Sequence, residues 1–254
     1  LFGDQAAIWT AGSVLIGRRP NDSRDGGLNI AVSQMSVGYD WQFSERRTLG
    51  LAMTYGDQSV ANTDQSSGVS SESMHLKVYG QERLSDHAFL RGLIGYGVLT
   101  VNSQRQMLTD WYSGSRDARQ WVAQAGYDYR LDQVPGDLSV RFTADAEVST
   151  THLDSYTEQG GPEPLKYGQQ TTWSAALRLA TRVEREFQTA QSRIRPRFEF
   201  GLKSRYQDAS ATQICYADDT HTVFRMPYEA NRTDAFDLGL GASIWHGRGL
   251  WDLA

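Results

Sequence analysis

Along residues 35 to 43 every second position is apolar: Met35, Val37, Tyr39, Trp41 and Phe43 alternate with Ser36, Gly38, Asp40 and Gln42. A β-strand sends successive side chains to opposite faces, so a period of two separates an oily face from a polar one. Residues 138 to 148 repeat the pattern, with Leu138, Val140, Phe142, Ala144, Ala146 and Val148 against Ser139, Arg141, Thr143, Asp145 and Glu147. So does 173 to 187, with Trp173, Ala175, Leu177, Leu179 and Val183 against Ser174, Arg178, Arg182 and Glu184. In 194 to 206, Ile194, Pro196, Phe198, Phe200, Leu202 and Tyr206 alternate with Arg195, Arg197, Glu199, Lys203 and Arg205. No helical period fits such alternation. Strands are predicted near 6–18, 28–43, 47–57, 72–84, 88–101, 117–131, 137–151, 170–187, 193–206 and 233–246, with a further strand starting near Gly249.

The connectors between these strands fall into two classes. SERR near 44–47, LSDH near 84–87, DQVPGD at 132–137, QTAQS at 188–192 and HGRG at 246–249 are short and rich in turn-forming residues. The connectors that alternate with them are long and polar: GRRPNDSRDGG, 58–71, 102–116, 152–169 and 207–232. This asymmetry is that of an outer-membrane barrel, with short periplasmic turns and long external loops. It predicts a periplasmic N-terminus.

Alternation alone leaves open which face points inward, because soluble barrels and sandwiches alternate too. Strands of globular proteins commonly run about 5 to 6 residues, whereas most of these exceed the roughly 9 to 11 that a tilted strand needs to cross hydrocarbon. Aromatics gather toward the ends of the apolar phase: Tyr39, Trp41, Phe43, Tyr127 and Tyr129 before short turns, and Tyr55, Trp121, Trp173 and Tyr206 toward the long loops. Two interfacial girdles have that form. The oily phase is therefore expected to face lipid and the charged phase to line a lumen.

Composition changes the picture little. The 254 residues suit one domain, and a mean hydropathy of -0.52 without a long apolar run excludes a helical span but not a strand-built one. A net charge of -5 gives no basic footprint for nucleic acid. The single cysteine, Cys215, forms no internal disulfide. LFGDQAAIW lacks the basic and apolar regions of a secretory signal, so if the protein is exported this sequence is a mature or excised piece.

Several stretches resemble the C-terminal β-domain of type V autotransporters, in the order that family has them. They are the opening IWTAGSVLIGRRPNDS, the hairpin SVGYDWQFSERRTLGLAMTYGD, the strand VAQAGYDYRL and the segment LDSYTEQGG from Leu153 to Gly161. The resemblance implies an all-β, antiparallel, up-and-down transmembrane barrel of about twelve strands that anchors and exports its own N-terminal passenger. It implies outer-membrane lipid, lipopolysaccharide, the barrel-assembly machinery and a passenger or linker helix in the pore as partners. GLWDLA holds only the start of an eleventh strand. The family pattern therefore implies that the polypeptide continues by about a strand and a half.

The inward phase carries Arg141, Asp145, Glu147, Arg178, Arg182, Glu184, Arg195, Arg197, Glu199, Lys203 and Arg205, mixed in sign on consecutive strands. They are expected to pair across neighbouring strands as a lumen network, and to contact a linker helix or a chain in transit. Glycines of the same phase, among them Gly38, Gly50, Gly97 and Gly126, allow either wall curvature or room for a helix. No hydrolase elbow, zinc-protease motif or phosphate loop is present, and no metal or other cofactor is expected. Asp218, Asp219 and His221 form a short acidic and histidine cluster in the longest loop, the candidate site of an alternative reading as an outer-membrane protease or lipid hydrolase. A diffusion porin is the third reading. His75 and Lys77 are expected in the lumen, and Arg18, Arg19 and Arg24 suit lipopolysaccharide phosphates or plain solvent.

Overall fold

The computed structural model describes residues 6–19, 27–63, 66–134, 138–189, 192–246 and 249–253. The wall is a single antiparallel sheet. Its strands are β1 (Ala6–Arg19), β2 (Leu28–Ser44), β3 (Arg47–Asn62), β4 (Ser67–Arg83), β5 (Ala88–Met107), β6 (Asp110–Val134), β7 (Leu138–Leu153), β10 (Gln170–Arg185), β12 (Ser192–Gln207), β15 (Asn231–His246) and β16 (Gly249–Leu253). Each pairs with the next in that order, and β11 (Phe187–Gln188) adds a short rung to β12. Four short strands, β8 (Tyr156–Thr157), β9 (Leu165–Tyr167), β13 (Ser210–Tyr216) and β14 (Phe224–Tyr228), form a second sheet in the order β14-β13-β9-β8 at the long-loop end.

The wall curls toward its polar side. Trp9 on β1 donates through Nε1 to the Tyr79 hydroxyl on β4 at 2.7 Å. Two strands lie between them, a separation of about 14 Å in a flat sheet at about 4.8 Å per strand. Only a concave face lets these side chains meet.

The outer face is oily from one edge of the sheet to the other. Ile94, Leu76 and Leu238 are 61%, 61% and 73% exposed, and the buried apolar residues among those described are four alanines, Ala52, Ala88, Ala118 and Ala180, with Tyr112. A water-soluble barrel would hide its large aliphatics and show its arginines. Here hydrocarbon is the solvent for the apolar phase, and every peptide group in it must bond to a neighbouring strand. The unbroken register of β2 with β3 down to Gln42, and of β4 with β5, meets that requirement.

Two expected long connectors are instead continuations of strands. β5 and β6 run on as one hairpin from Thr100 paired with Asp117 to Met107 paired with Asp110, turning at Leu108, whose φ is 56°. β3 and β4 likewise stay paired to Ala61 and Gly68. Connectors 152–169 and 207–232 carry the second sheet. Beyond the membrane both faces of a strand meet water, so the outward positions Asn102, Gln104, Ser113 and Ser115 are polar and the period of two loses its contrast. The expected turns at 132–137, 188–192 and 246–249 fall partly outside the described residues, as does Arg24.

Several inward glycines are slots for rings on the adjacent strand. A Cβ at Gly38 would stand inside the Trp9 indole, one at Gly50 inside the Tyr79 ring, and one at Gly97 inside the His75 imidazole. Replacing Gly38 by valine is expected to evict Trp9 and lower stability by about 1–3 kcal/mol. Gly12→Val, where a Cβ meets only the Gln34 carbonyl at 3.5 Å, is expected to leave it unchanged. Urea unfolding midpoints in micelles check both.

Candidate functional site: the ionic lining of the lumen

Inward-facing charges stand on the polar phase of β5, β6, β7, β10 and β12, and the register brings opposite signs together. Arg91 on β5 places Nε 2.7 Å from Asp128 and Nη2 2.9 Å from Asp145. Arg178 bonds Glu199 on the next strand and reaches Asp237 on β15 at 3.3 Å. Arg182 lies 2.6 Å from the other oxygen of Glu199 and 3.7 Å from Glu184. Arg197 donates to the Ser243 hydroxyl at 3.3 Å, and Arg195 bonds Glu186 beyond the end of β10. Glu147 faces Lys77 closely enough for their charges to interact. Lys203 lies opposite Arg178, and Arg205 opposite Ala176, nearer the long loops. Bidentate and shared guanidinium contacts of this sort hold a wall rigid, because each fixes the position of two strands.

Sequence reasoning missed several members of this lining. Arg91, Asp128 and Asp237 complete the pairs, and Asp40 accepts from Trp9 Nε1 at 3.1 Å and from the Tyr79 hydroxyl. Asp40, Lys77, Arg91 and Asp145 border a cavity of about 510 Å³ in the short-turn half of the lumen. His75 bonds Gln120 at 2.9 Å, and Gln120 donates to Thr151 at 3.0 Å, a chain from β4 to β7. Trp9 gave a usable signal. It is an aromatic on the polar phase, directly opposite Gly38.

The aromatic residues of the two expected girdles lie on the outer face. Tyr39, Trp41 and Phe43 stand at the short-turn end of β2, where Trp41 and Phe43 meet edge to face at 5.4 Å, and Tyr127 and Tyr129 occupy the same end of β6. Tyr96, which sequence reasoning passed over, packs on Trp121 at 4.8 Å, and Trp173 meets Tyr206 at 6.2 Å. Trp121 and Trp173 both stand in register with Thr150, so these four rings form one belt, with Tyr55 further round on β3. From Trp121 to Leu131 is ten residues, about 33 Å of strand, or ~23 Å of height at a tilt of about 45°. That height matches an outer-membrane apolar band.

At the long-loop end a buried carboxylate ties loops together. Glu158 accepts from Arg105 Nε at 2.8 Å and Nη2 at 2.7 Å, and from the Leu165 amide at 3.0 Å. The Arg105 guanidinium also covers the Tyr112 ring at 4.3 Å. Tyr156 stacks on Tyr167 at 4.7 Å, and Gly160 and Gly161, with φ of 93° and 55°, let the chain fold back over Trp111 and Tyr112. Burial first, and then the Glu158 charge, push the Tyr167 phenol up to about 12.

Of the other sequence candidates, Asp219 caps its own turn, accepting from the His221 amide at 3.0 Å and the Thr222 hydroxyl at 2.8 Å. The Thr222 bond chiefly holds its carboxyl below the usual range. Asp218 neighbours it in the same connector between β13 and β14. Among the described residues no three metal-ligating side chains gather, and no helix is long and apolar enough to cross a membrane. Cys215 is half-buried opposite Lys166. Arg18 and Arg19 are exposed at the long-loop end of β1.

The profile of the autotransporter β-domain family matches residues 8–250. The chain belongs to that family. Two solved structures share its fold over nearly its whole length. The translocator domain of autotransporter NalP from Neisseria meningitidis superposes with a TM-score of 0.65 at 12% identity, covering 97% of this chain and 90% of that one. The β-domain of the Bordetella autotransporter BrkA gives 0.63 at 11% identity, covering 95% and 97%. No curated protein sequence matches. An autotransporter β-domain is an outer-membrane translocator barrel, and the oily exterior and ionic interior described above are what that location demands.

Two outcomes are expected. Glu199→Gln removes the carboxylate that two arginines share and should cost about 1–3 kcal/mol, a buried-pair loss discounted for partial exposure, read from the urea midpoint. A phenol whose folded pKa is raised favours the folded loops fully below pH ~10 and loses that contribution as pH climbs through ~12. In a spectrophotometric titration Tyr167→Phe should therefore remove one late-ionising phenol.

Proposed function

We propose that this barrel anchors and exports a passenger polypeptide joined to its N-terminal side, with the short turns in the periplasm and the long-loop sheet outside the cell. The observation that carries this reading is the contrast between the two faces of one curled sheet. The outer face is apolar from β1 to β15, while the inner face is lined by hydrogen-bonded and ion-paired groups such as Asp40, Arg91, Asp145, Arg178 and Glu199. Such a wall holds an aqueous path open through hydrocarbon and gives a moving chain polar surface to slide along. Its work is conduit and anchor, not bond chemistry. The barrel-assembly machinery would insert it, and the exposed Arg18 and Arg19 suit phosphate groups of lipopolysaccharide around the outer rim.

The test is display. A folded reporter fused ahead of Leu1 behind a secretion signal should become accessible to antibody on intact Gram-negative cells, and to protease added outside. A reporter that stays in the periplasm while the barrel reaches the outer membrane would refute the reading.

A further inference from the structure

Beyond the aromatic belt of the long-loop end, the outer face of the wall holds a polar platform without charge. Ser59, Ser70, Asn102 and Ser115 stand in one row across β3, β4, β5 and β6, each directly opposite the next. Two residues further out, Gln104 is opposite Ser113, and Ser113 pairs with Gln159 just past β8. By the period of two, the positions on β3 to β6 share the phase of Tyr55, Met74, Tyr96 and Trp121. All seven residues border an open cavity of about 420 Å³ whose lining has no charged residue. Among the described residues, none of the seven side chains makes a hydrogen bond within the protein. Trp111, two residues beyond Ser113 on the same face, is also exposed. The platform is held from behind, where Glu158 accepts from Arg105 and Tyr156 bonds Ser103, and the Ser113 and Gln159 amides bond each other's carbonyls at 3.0 and 2.7 Å. The row next toward the membrane is acidic, with Asp57 opposite Glu72 and Asp117 opposite Thr100.

We propose that this face binds the uncharged part of the sugar chain of a lipopolysaccharide molecule in the surrounding outer leaflet. The inference rests on the orientation proposed above, with the long loops outside the cell. Hydroxyl and carboxamide side chains both donate and accept hydrogen bonds, as sugar hydroxyls do. Having no partner in the protein, they release only water on binding, and a backbone already fixed needs little further ordering. Trp111 offers an indole face to the C–H side of a sugar ring. Phosphates and nucleic acids need cations that the lining lacks, and a protein partner is ordinarily anchored by aromatic or arginine side chains, which the lining also lacks. Height agrees with this occupant. From Trp121 to Ser115 is six residues, about 20 Å of strand, or ~14 Å beyond the belt at a tilt of about 45°. Headgroups extend about 5–7 Å past the hydrocarbon, so the face stands at the level of the sugars. The carboxylates nearer the membrane repel phosphate-bearing sugars and leave the contact to the uncharged ones. From β3 to the β8 segment the face spans about 19 Å, room for several rings.

The test uses the purified barrel in phospholipid nanodiscs and a hexasaccharide of glucose and galactose, with Kd read by saturation-transfer NMR. Binding should be indifferent to salt between about 0.05 and 0.5 M, because no charge takes part. Asn102→Ala with Gln104→Ala should raise Kd about tenfold through the loss of two or more hydrogen bonds. Trp111→Ala should also weaken binding, while Trp111→Phe retains most of it. Because Asn102 and Gln104 have no partner inside the protein, the urea midpoint of the double variant should stay unchanged. Extraction from cells in mild detergent tests the source of the sugar. The barrel should retain lipopolysaccharide with a complete sugar chain better than a form truncated to its phosphorylated inner sugars, and the double variant should retain both alike. Equal Kd for the unaltered and double variants overturns the proposal, as do failure of the hexasaccharide to bind, equal retention of the two lipopolysaccharides by the unaltered barrel, and tighter binding of a sulfated hexasaccharide. Reporter display separates the two readings. Display without sugar binding overturns this inference alone, and sugar binding without display overturns the conduit.

Discussion

Hydrocarbon offers a peptide group no partner, and everything else in this molecule follows from that. A chain crossing it as strands must bond each backbone amide and carbonyl to a neighbour, which forces the long in-register pairing of β2 through β7. Pairing fixes side chains to alternate faces, and the two solvents on either side then select oil for one phase and polar groups for the other. The ion pairs of the interior are a second-order result. Once the ladder sets Arg182 opposite Glu199, their contact needs little further ordering.

That hierarchy explains what was legible in the sequence. Inside the membrane the contrast between Leu177 or Phe198 and their charged neighbours is maximal. The ten spans and the start of an eleventh were therefore readable, and so was the direction each phase faces. Above the membrane the contrast vanishes. The β5–β6 hairpin past Thr100 and the small sheet of β8, β9, β13 and β14 read as loops because polar residues stand on both their faces.

Partner choice in the lumen was harder to read for a different reason. Arg178 with Glu199 follows from adjacent strands, but Arg91 with Asp145 and Trp9 with Tyr79 join strands that are not neighbours. Those contacts depend on how tightly the sheet curls, a property no local pattern encodes. The glycines show the same limit. Gly38, Gly50 and Gly97 were visible on the polar phase, yet their purpose, accommodating a ring from next door, needed the register.

Glu158 has an evolutionary corollary. One carboxylate collects donors from the β5–β6 hairpin and from the segment leading to β9, whose Tyr167 in turn lies opposite Ile214 of β13. The hairpin and the segment that carries Glu158, about fifty residues apart in sequence, thus share a single fastening. A change in either stretch is tolerated only when the other still meets that carboxylate, so the two are bound to drift in concert.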